Sequence, residues 1–408
     1  MTHRLCLIHP LDPRGAKVGG IETHVRLMLS RHPADVSLLF VGMDERGDLP
    51  LGKVAPLKID GRTVDFLPVV HIDDDSIHSA ARRLTQSVTL RFALGALRHL
   101  PTIRRLARAP AATTEIERFE FALLARAIGN PVVQVVHGEG SKNDRMDSLI
   151  KRFWWIHRLN EQIALRLAAR VVAVNGNIVR RYEAEMPSVA AKSEVLSVSV
   201  DTRRFPPAPF ETDGPFRIVF AGRLDAFKDP PLMFETLRRL SEALGGQVEF
   251  HYVGTSDPAR DPEFAAIAPI TVRHGFQDAA GVAAIMRRCH AGVLTSFFEG
   301  MPCYLLELLS SGRPVGAIRL PQYDPLVEAG VSGFLVERPE DRTTAAEAMA
   351  AGFLQLWDAI RAGRLDPDAI HAKVRPYSVD AQMPRLFDRH RGLARRPGGP
   401  VEARPAVS

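Results

Sequence analysis

The 408-residue chain has only three cysteines, Cys6, Cys289 and Cys303, at spacings that pair with nothing nearby. That excludes a disulfide framework and a cysteine-rich zinc site, and it suits a reducing compartment. Aromatic residues are sparse at 7% and no nucleic-acid-binding module is present, so nucleic acid is not an expected partner. No uncharged apolar run reaches the roughly 20 residues that span a bilayer. The first ten residues run straight into a strand pattern without a secretory apolar region, so a cytoplasmic location is the expectation. Acidic residues are missing altogether from Ser76 to Thr114. Arg82, Arg83, Arg91, Arg98, Arg104, Arg105 and Arg108 all fall there, against a net charge of +6 for the whole chain. One segment therefore accounts for the basicity of the protein.

What is present is an ordinary globular composition, 46% apolar and 25% charged, in a chain long enough for two domains with full cores. The most informative stretch is Ser296 to Val315, where Glu299 and Glu307 stand eight positions apart. Ala291 to Thr295 before it reads as a buried strand, Cys303 to Ser310 as a helix, and Val315 to Ile318 as the next strand. A loop between such a strand and helix lies at the carboxyl edge of an α/β sheet, where these folds bind ligands. A carboxylate can accept two hydrogen bonds from a vicinal diol of a sugar or ribose. The amides of Gly300, Met301 and Cys303, with Pro302 among them, open a helix and suit a phosphate or a sugar hydroxyl. Taken alone, the segment reads equally well as a surface turn with two solvated acids.

The rest of the chain repeats the same strand–loop–helix unit. Arg4 to His9 is strand-like, and Gly19-Gly20 precedes a helix from Ile21 to Leu29, leaving room for a backbone to approach a phosphate. Val36 to Gly42 and Val64 to Val70 follow as strands. In the acid-free stretch 76–114, Arg91, Arg98 and Arg105 recur every seven residues beside an apolar stripe that includes Leu94, Leu97 and Ile103, with a break at Pro101. That pattern suits an anionic membrane surface, or equally a helix pair packed on the sheet with its arginines in water. Pro131 to Gly138 is a strand ending in His137, which can either meet a ligand hydroxyl or merely close the strand. Phe153 to Ala169 reads as a helix, Arg170 to Val174 as a strand, Asn175 as a helix cap, and Glu194 to Asp201 as one more strand.

The proline-rich segment 206–215 reads as the linker, giving a first domain over 1–205 and a second over 216–376. The second opens with the strand Phe216 to Gly222, whose following loop carries Arg223 and Lys228, two cations able to clamp a diphosphate. Strands at Val248 to Gly254 and Ile270 to His274 lead to Gly275-Phe276. Gly333 to Val336 is the last strand, followed by a helix from Thr343 to Arg361, a terminal helix over 377–393 and a disordered tail over 394–408.

Together the Gly-Arg-Leu-Asp loop ending at Lys228, the Gly275-Phe276 turn and the Glu299-x7-Glu307 spacing closely resemble the nucleotide-sugar domain of retaining glycosyltransferases of family 4. Gly19-Gly20-Ile-Glu and His137-Gly138 resemble the donor-facing loops of that family's first domain. The resemblance implies the GT-B fold, an α/β architecture in which two Rossmann-like, doubly wound parallel-sheet domains face each other across a cleft. It implies that Arg223, Lys228, Gly19 and Gly20 serve the donor diphosphate, Glu307 the ribose, and Gly275 and Phe276 the nucleobase. Glu299 and His137 would be the catalytic pair at the transferred sugar, helped by the backbone of Gly300, Met301, Pro302 and Cys303. The terminal helix would cross back to the first domain, and Arg91, Arg98 and Arg105 would meet a membrane or acceptor. The chain departs from the family at Ser197 to Asp201, often Pro-Asn-Gly-Val-Asp, and at Pro321-Gln322, often a glycine pair.

The implied activity is transfer of a sugar from UDP or GDP to a hydroxyl acceptor, a lipid-linked or growing bacterial polysaccharide, with retention. No cofactor and no metal is expected in it. A nucleotide-sugar epimerase or hydrolase of the same fold is the alternative enzyme, and a non-catalytic membrane-associated protein of that fold is the alternative to an enzyme.

Overall fold

The computed structural model describes residues 2–15, 19–73, 87–138 and 154–394. These form two units. The first comprises the described residues up to 198 together with 380–394, and the second comprises 199–379.

In the first unit the strands are β1 (His3–Ile8), β2 (Val36–Asp44), β3 (Ala55–Ile59), β4 (Arg62–His71), β5 (Ala112–Ile116), β6 (Val132–Val136), β7 (Arg170–Ala173) and β8 (Ser193–Val195). They make one sheet in the order β3-β4-β2-β1-β5-β6-β7-β8, parallel throughout except for the edge hairpin of β3 with β4. The central strands are buried on both faces because helices cover both faces of a parallel sheet. Every residue of β5 and β6 is buried. The helices are α1 (Gly20–Arg31), α2 (Val88–Arg98), α3 (Leu100–Ala107), α4 (Ala122–Ile128), α5 (Trp154–Leu167) and α6 (Gly176–Glu185). The Asn175 side chain caps α6 by accepting from the Ile178 amide at 3.1 Å.

The second unit holds β9 (Phe216–Ala221), β10 (Val248–Val253), β11 (Thr271–Gly275), β12 (Ala291–Leu294), β13 (Val315–Ile318) and β14 (Gly333–Val336). Its sheet is wholly parallel, in the order β11-β10-β9-β12-β13-β14. The longer helices are α7 (Pro230–Ala243), α8 (Ala279–Arg288), α9 (Cys303–Ser310) and α10 (Arg342–Arg361). Phe216 stacks on Trp357 at 4.8 Å between ring centres, so the opening strand and α10 share one aromatic core. Each such ring contributes on the order of 1.5–3 kcal/mol by burial. At the carboxyl edge the backbone of β9 and β10 is crowded. A Cβ on Gly254 would stand 2.4 Å from the Gly222 carbonyl, and Gly222 itself has a φ of 151°, so both positions require glycine.

Four features differ from the sequence expectations. The run Glu194 to Asp201 is a strand only over Ser193–Val195. Beyond it, Val200 turns its amide to the Tyr377 carbonyl and its carbonyl to the Val379 amide, both at 2.9 Å, instead of joining the sheet. The acid-free stretch holds two helices separated at His99 and then the strand β5; its first part, 76–86, lies outside the described residues. Pro101 sits in the first turn of α3, where its missing N–H costs nothing. Segment 206–215 does not stand free as a linker. The guanidinium of buried Arg313 donates to the Pro209 carbonyl at 3.0 Å and lies 4.6 Å from the Phe210 ring, which ties that segment to the second unit.

The last helix, α11 (Val379–Ala394), falls with the first unit from Asp380 onward. His390 reaches Glu115 at 2.5 Å, and Arg391 reaches Asp35 at 2.6 Å. The remainder of the tail, 395–408, and the Phe153 start expected for α5 lie outside the described residues.

Candidate functional site

In the second unit the carboxyl ends of β9 and β12 bring two loops together. The loop after β9 ends in a single 3-10 turn, Ala226–Lys228. The Phe297 amide donates to the Phe227 carbonyl at 2.8 Å, and the Phe227 and Phe298 rings stack at 5.0 Å. The Thr295 hydroxyl donates to the Lys228 carbonyl at 2.7 Å. These contacts fix Lys228 over the second loop, where its ammonium bonds the Glu299 carboxylate. Ser296 donates to the same carboxylate oxygen at 2.8 Å, and the Gln322 side chain donates to the Glu299 carbonyl at 2.8 Å. Gln322 thus fills, with a backbone-gripping amide, the place where a glycine was expected.

Glu307 lies in the second turn of α9, half-buried, and among the described residues its carboxylate meets no hydrogen-bond donor. Burial pushes that carboxyl up to about 7. Helix α9 has Pro302 at its N-cap and no side-chain cap, so no side chain occupies its first-turn amides as a cap. Gly300 is half-exposed, Met301 and Pro302 are buried, and Cys303 is half-buried with its thiol pushed far up by burial. Arg223 is not drawn into this cluster. Its side chain is 71% exposed and pairs with Asp225 at 3.0 Å, so the two expected cations form separate ion pairs. Gly275 ends β11 with a φ of 64°, and Phe276 beside it is 49% exposed, a bare aromatic face at the carboxyl edge.

Sequence reading missed one support of these loops. Arg338 donates to Asp229 at 2.7 Å and to the Thr295 carbonyl at 2.5 Å, and its guanidinium lies 3.8 Å from the Phe297 ring centre. Nothing local marks Arg338; it follows β14, far along the chain. A pocket of about 1000 Å³ borders the same loops at Leu224, Ala226, Asp229, Phe297 and Arg338. None of Arg223, Lys228, Glu299 and Glu307 lines it, so the expected donor groups lie outside that cavity.

In the first unit His137 follows β6 and is mostly buried, with its Nε2 2.5 Å from Glu117. The imidazole ring of His24, on α1, meets the His137 ring edge-on at 5.5 Å. Glu117 follows β5, and Glu115 lies within it, fully buried. The Thr113 hydroxyl joins His3 and His390, each at 2.8 Å, and His390 in turn bonds Glu115. Burial lowers His24 to about 4 and His390 to about 3, and raises Glu115 to about 7. None of this group except His137 was singled out from the sequence. The available signal was the run Thr113-Thr114-Glu115-Ile116, β-branched but for its glutamate, hidden at the edge of the arginine-rich stretch.

Gly19 caps α1 and Gly20 begins it, the first half-exposed and the second exposed, while 16–18 just ahead lie outside the described residues. Arg98 and Arg105 are exposed, and Arg91 donates to the His71 carbonyl at 3.1 Å. The apolar stripe beside them is split. Phe92, Ala96, Ile103 and Ala107 face the core, whereas Leu90, Leu94 and Leu97 are 42%, 58% and 52% exposed on the outside with the arginines. Among the described residues no helix is long and apolar enough to cross a membrane.

Comparison with known proteins agrees with this architecture. Across the whole chain the structure is similar to Anabaena Alr3699/HepE in complex with UDP and glucose, with TM-score 0.67, 16% identity, and 95% of this chain and 99% of that one covered. It is similar as well to sucrose-phosphate synthase from Thermosynechococcus elongatus, with TM-score 0.72, 16% identity, and 95% and 98% covered. A third, the lipopolysaccharide outer core galactosyltransferase WaaB, gives TM-score 0.61, 15% identity, and 95% and 99% covered. No curated protein sequence matches the chain. The likeness to these structures establishes the GT-B fold with two Rossmann-like units. Residues 215–357 match the family model described as Glycosyl transferases group 1, a span that contains Arg223, Lys228, Phe276, Glu299 and Glu307.

Proposed function

We propose that the chain is a retaining glycosyltransferase of family 4 that moves a sugar from a nucleoside diphosphate to a hydroxyl of a lipid-linked or growing bacterial polysaccharide. The observation that carries this reading is the pair of acids on one loop and helix. Glu299 is held by Lys228 and Ser296, and Glu307 is half-buried and, among the described residues, meets no hydrogen-bond donor. A half-buried carboxylate with no partner costs stability unless a ligand uses it, and a ribose diol offers two donors. In this reading Glu307 takes the ribose and Phe276 borders the base. Lys228 and Arg223 take the diphosphate. Glu299 and the backbone of Gly300 to Cys303 hold the transferred sugar.

Departure of the diphosphate is the hard step. The Lys228 ammonium and the first-turn amides of α9 would stabilise the developing charge without a metal at that point. Because Lys228 already holds Glu299, a donor engages both ends of one ion pair, the diphosphate at the cation and the sugar hydroxyls at the acid. HepE binds UDP and glucose, which makes UDP the first ligand to try. A rise in melting temperature with UDP or GDP, absent with ADP, is the expected outcome. No rise with any nucleoside diphosphate would move the chain to the non-catalytic alternative.

The face formed by Leu90, Leu94 and Leu97 with Arg91, Arg98 and Arg105 supports a peripheral contact with an anionic membrane, at which a lipid-linked acceptor would be met. Each arginine at such a surface contributes about 1 kcal/mol. Replacing the three together with glutamine is expected to lower partition to phosphatidylserine vesicles by about 100-fold, on the same per-residue figure. Unchanged partition in a sedimentation assay would remove the membrane from the proposal.

A further inference from the structure

The buried acids of the first unit raise a question the transfer reaction does not answer. Glu115 and Glu117 are 0% and 4% exposed, two residues apart at the end of β5, and among the described residues neither pairs with a lysine or arginine. Two carboxylates in a dry interior repel each other and are each costly to ionise there. The first oxygen of each is accounted for: Glu115 Oε2 by His390 and Glu117 Oε2 by His137, both at 2.5 Å. Among the described residues the second oxygen of each, Oε1, meets no donor from an uncharged or basic group, and neither Nδ1 nor Nε2 of His24, itself 5% exposed, has a hydrogen-bond partner. One atom from each of His24, Glu115 and Glu117 lies within 4.8 Å of the others.

We propose that His24, Glu115 and Glu117 bind one divalent transition-metal ion. One imidazole and two carboxylates form a mixed nitrogen and oxygen set of the kind that holds zinc, manganese or iron(II). A 2+ charge balances the two carboxylates, and among the described residues each of the three has an atom with no donor or acceptor offered to it. Bonds of about 2.0–2.2 Å to a shared tetrahedral ion put ligand atoms about 3.4 Å apart, so a set lying within 4.8 Å closes by up to about 1.4 Å on binding. His390 and His137 then stand behind the ligands as the outer groups that orient ligating carboxylates, a usual feature of metal sites. Through Glu117 the ion would hold the His137 ring in place. The site draws on α1, β5 and the segment after it, and it does not depend on the donor reading of the second unit.

The test is made on full-length protein without any sugar donor. Protein purified without chelator is analysed for metals by mass spectrometry, then stripped with EDTA and titrated with Zn2+ and with Mn2+ by calorimetry. The expected result is one ion per chain for at least one of the two, with a rise in melting temperature that EDTA reverses. His24→Ala and, as a milder change, His24→Gln are each expected to weaken that ion by at least about tenfold. Circular dichroism and a cooperative thermal unfolding transition show whether either variant is folded. Stripped, folded wild-type protein that takes up neither ion, with an unchanged melting temperature, overturns the proposal and leaves a carboxyl pair sharing a proton. Uptake that is equal in wild type and in a folded His24 variant overturns it as well.

Discussion

The two units keep their charged groups in opposite ways. The second displays them: Lys228, Glu299 and Glu307 come from two loops and one helix at the carboxyl edge, partly open to solvent, with Arg223 outside them in water. The first hides them, running His3, Thr113, His390, Glu115, Glu117, His137 and His24 through its interior. An open cluster can exchange partners when a ligand arrives, since water and ligand compete on similar terms. A buried one is set when the chain folds, because any group it leaves unpaired carries a desolvation cost. Changes in the second unit should therefore read out in binding and turnover, and changes in the first in stability.

The sharpest way to break that comparison is at Lys228. Lys228→Ala removes a cation proposed to stabilise the departing diphosphate, and kcat/KM is expected to fall by about 100- to 1000-fold, the usual cost of one such group. The melting temperature should move less than the rate, because Ser296 still donates to the Glu299 carboxylate. Glu307→Ala should weaken UDP binding by about tenfold or more, the loss of hydrogen bonds to a charged acceptor. Glu299→Ala should leave UDP bound and impair only steps that need the sugar. Calorimetry with UDP and rates with a UDP-sugar separate the two, and equal losses in both variants would contradict the roles assigned.

How much of this was legible in the sequence follows the same division. Strands β12, β13 and β14 and helices α8 and α9 were readable because each is a contiguous apolar pattern closed by glycine, proline or an acid. Lys228, Glu299 and Glu307 were readable because loop motifs keep their groups at fixed short spacings. Strand β5 was not, since its five residues are enclosed on both faces and show no alternation, and they follow directly on an arginine-rich helix. The buried cluster had no signal beyond the run Thr113 to Ile116. It draws His3, His24, Thr113, Glu115, Glu117, His137 and His390 from across the chain, and only the sheet order β1-β5-β6 with the returning α11 assembles them. Arg338 escaped notice for the same reason, as did the hold of Arg313 on the proline-rich segment.

A smaller effect sharpens the comparison from the side of the first unit. Glu115→Ala leaves His390 Nε2 buried without its acceptor, which is expected to cost about 1–3 kcal/mol and to lower the melting temperature by several degrees. Glu115→Gln keeps an oxygen for His390 and should lose less. UDP binding by the folded fraction should be unchanged in both. A change in UDP affinity without a fall in melting temperature would show that the buried cluster serves the donor directly, and the division between the units would fail.

The smallest expected effect is in acid. Burial lowers His3 and His24 to about 4 and His390 to about 3 in the first unit, and His290 to about 4 in the second. An unfolded chain protonates these imidazoles near 6.5, so between about pH 6.5 and 4 the unfolded state binds more protons and stability falls as pH falls. One acid in each unit, Glu115 and Glu307, is raised to about 7 and acts in the opposite sense, taking up its proton first in the folded state. These two offset each other in the comparison, leaving three strongly lowered histidines against one. Hydrogen exchange at pH 7 and pH 5, with EDTA present and rates corrected for intrinsic exchange, is expected to show protection lost first in β1, β5 and α11. Loss that begins instead in β9 to β14 would mean that the histidines of the first unit are accommodated in their charged form, and that its interior is wetter than its buried, unpartnered atoms imply.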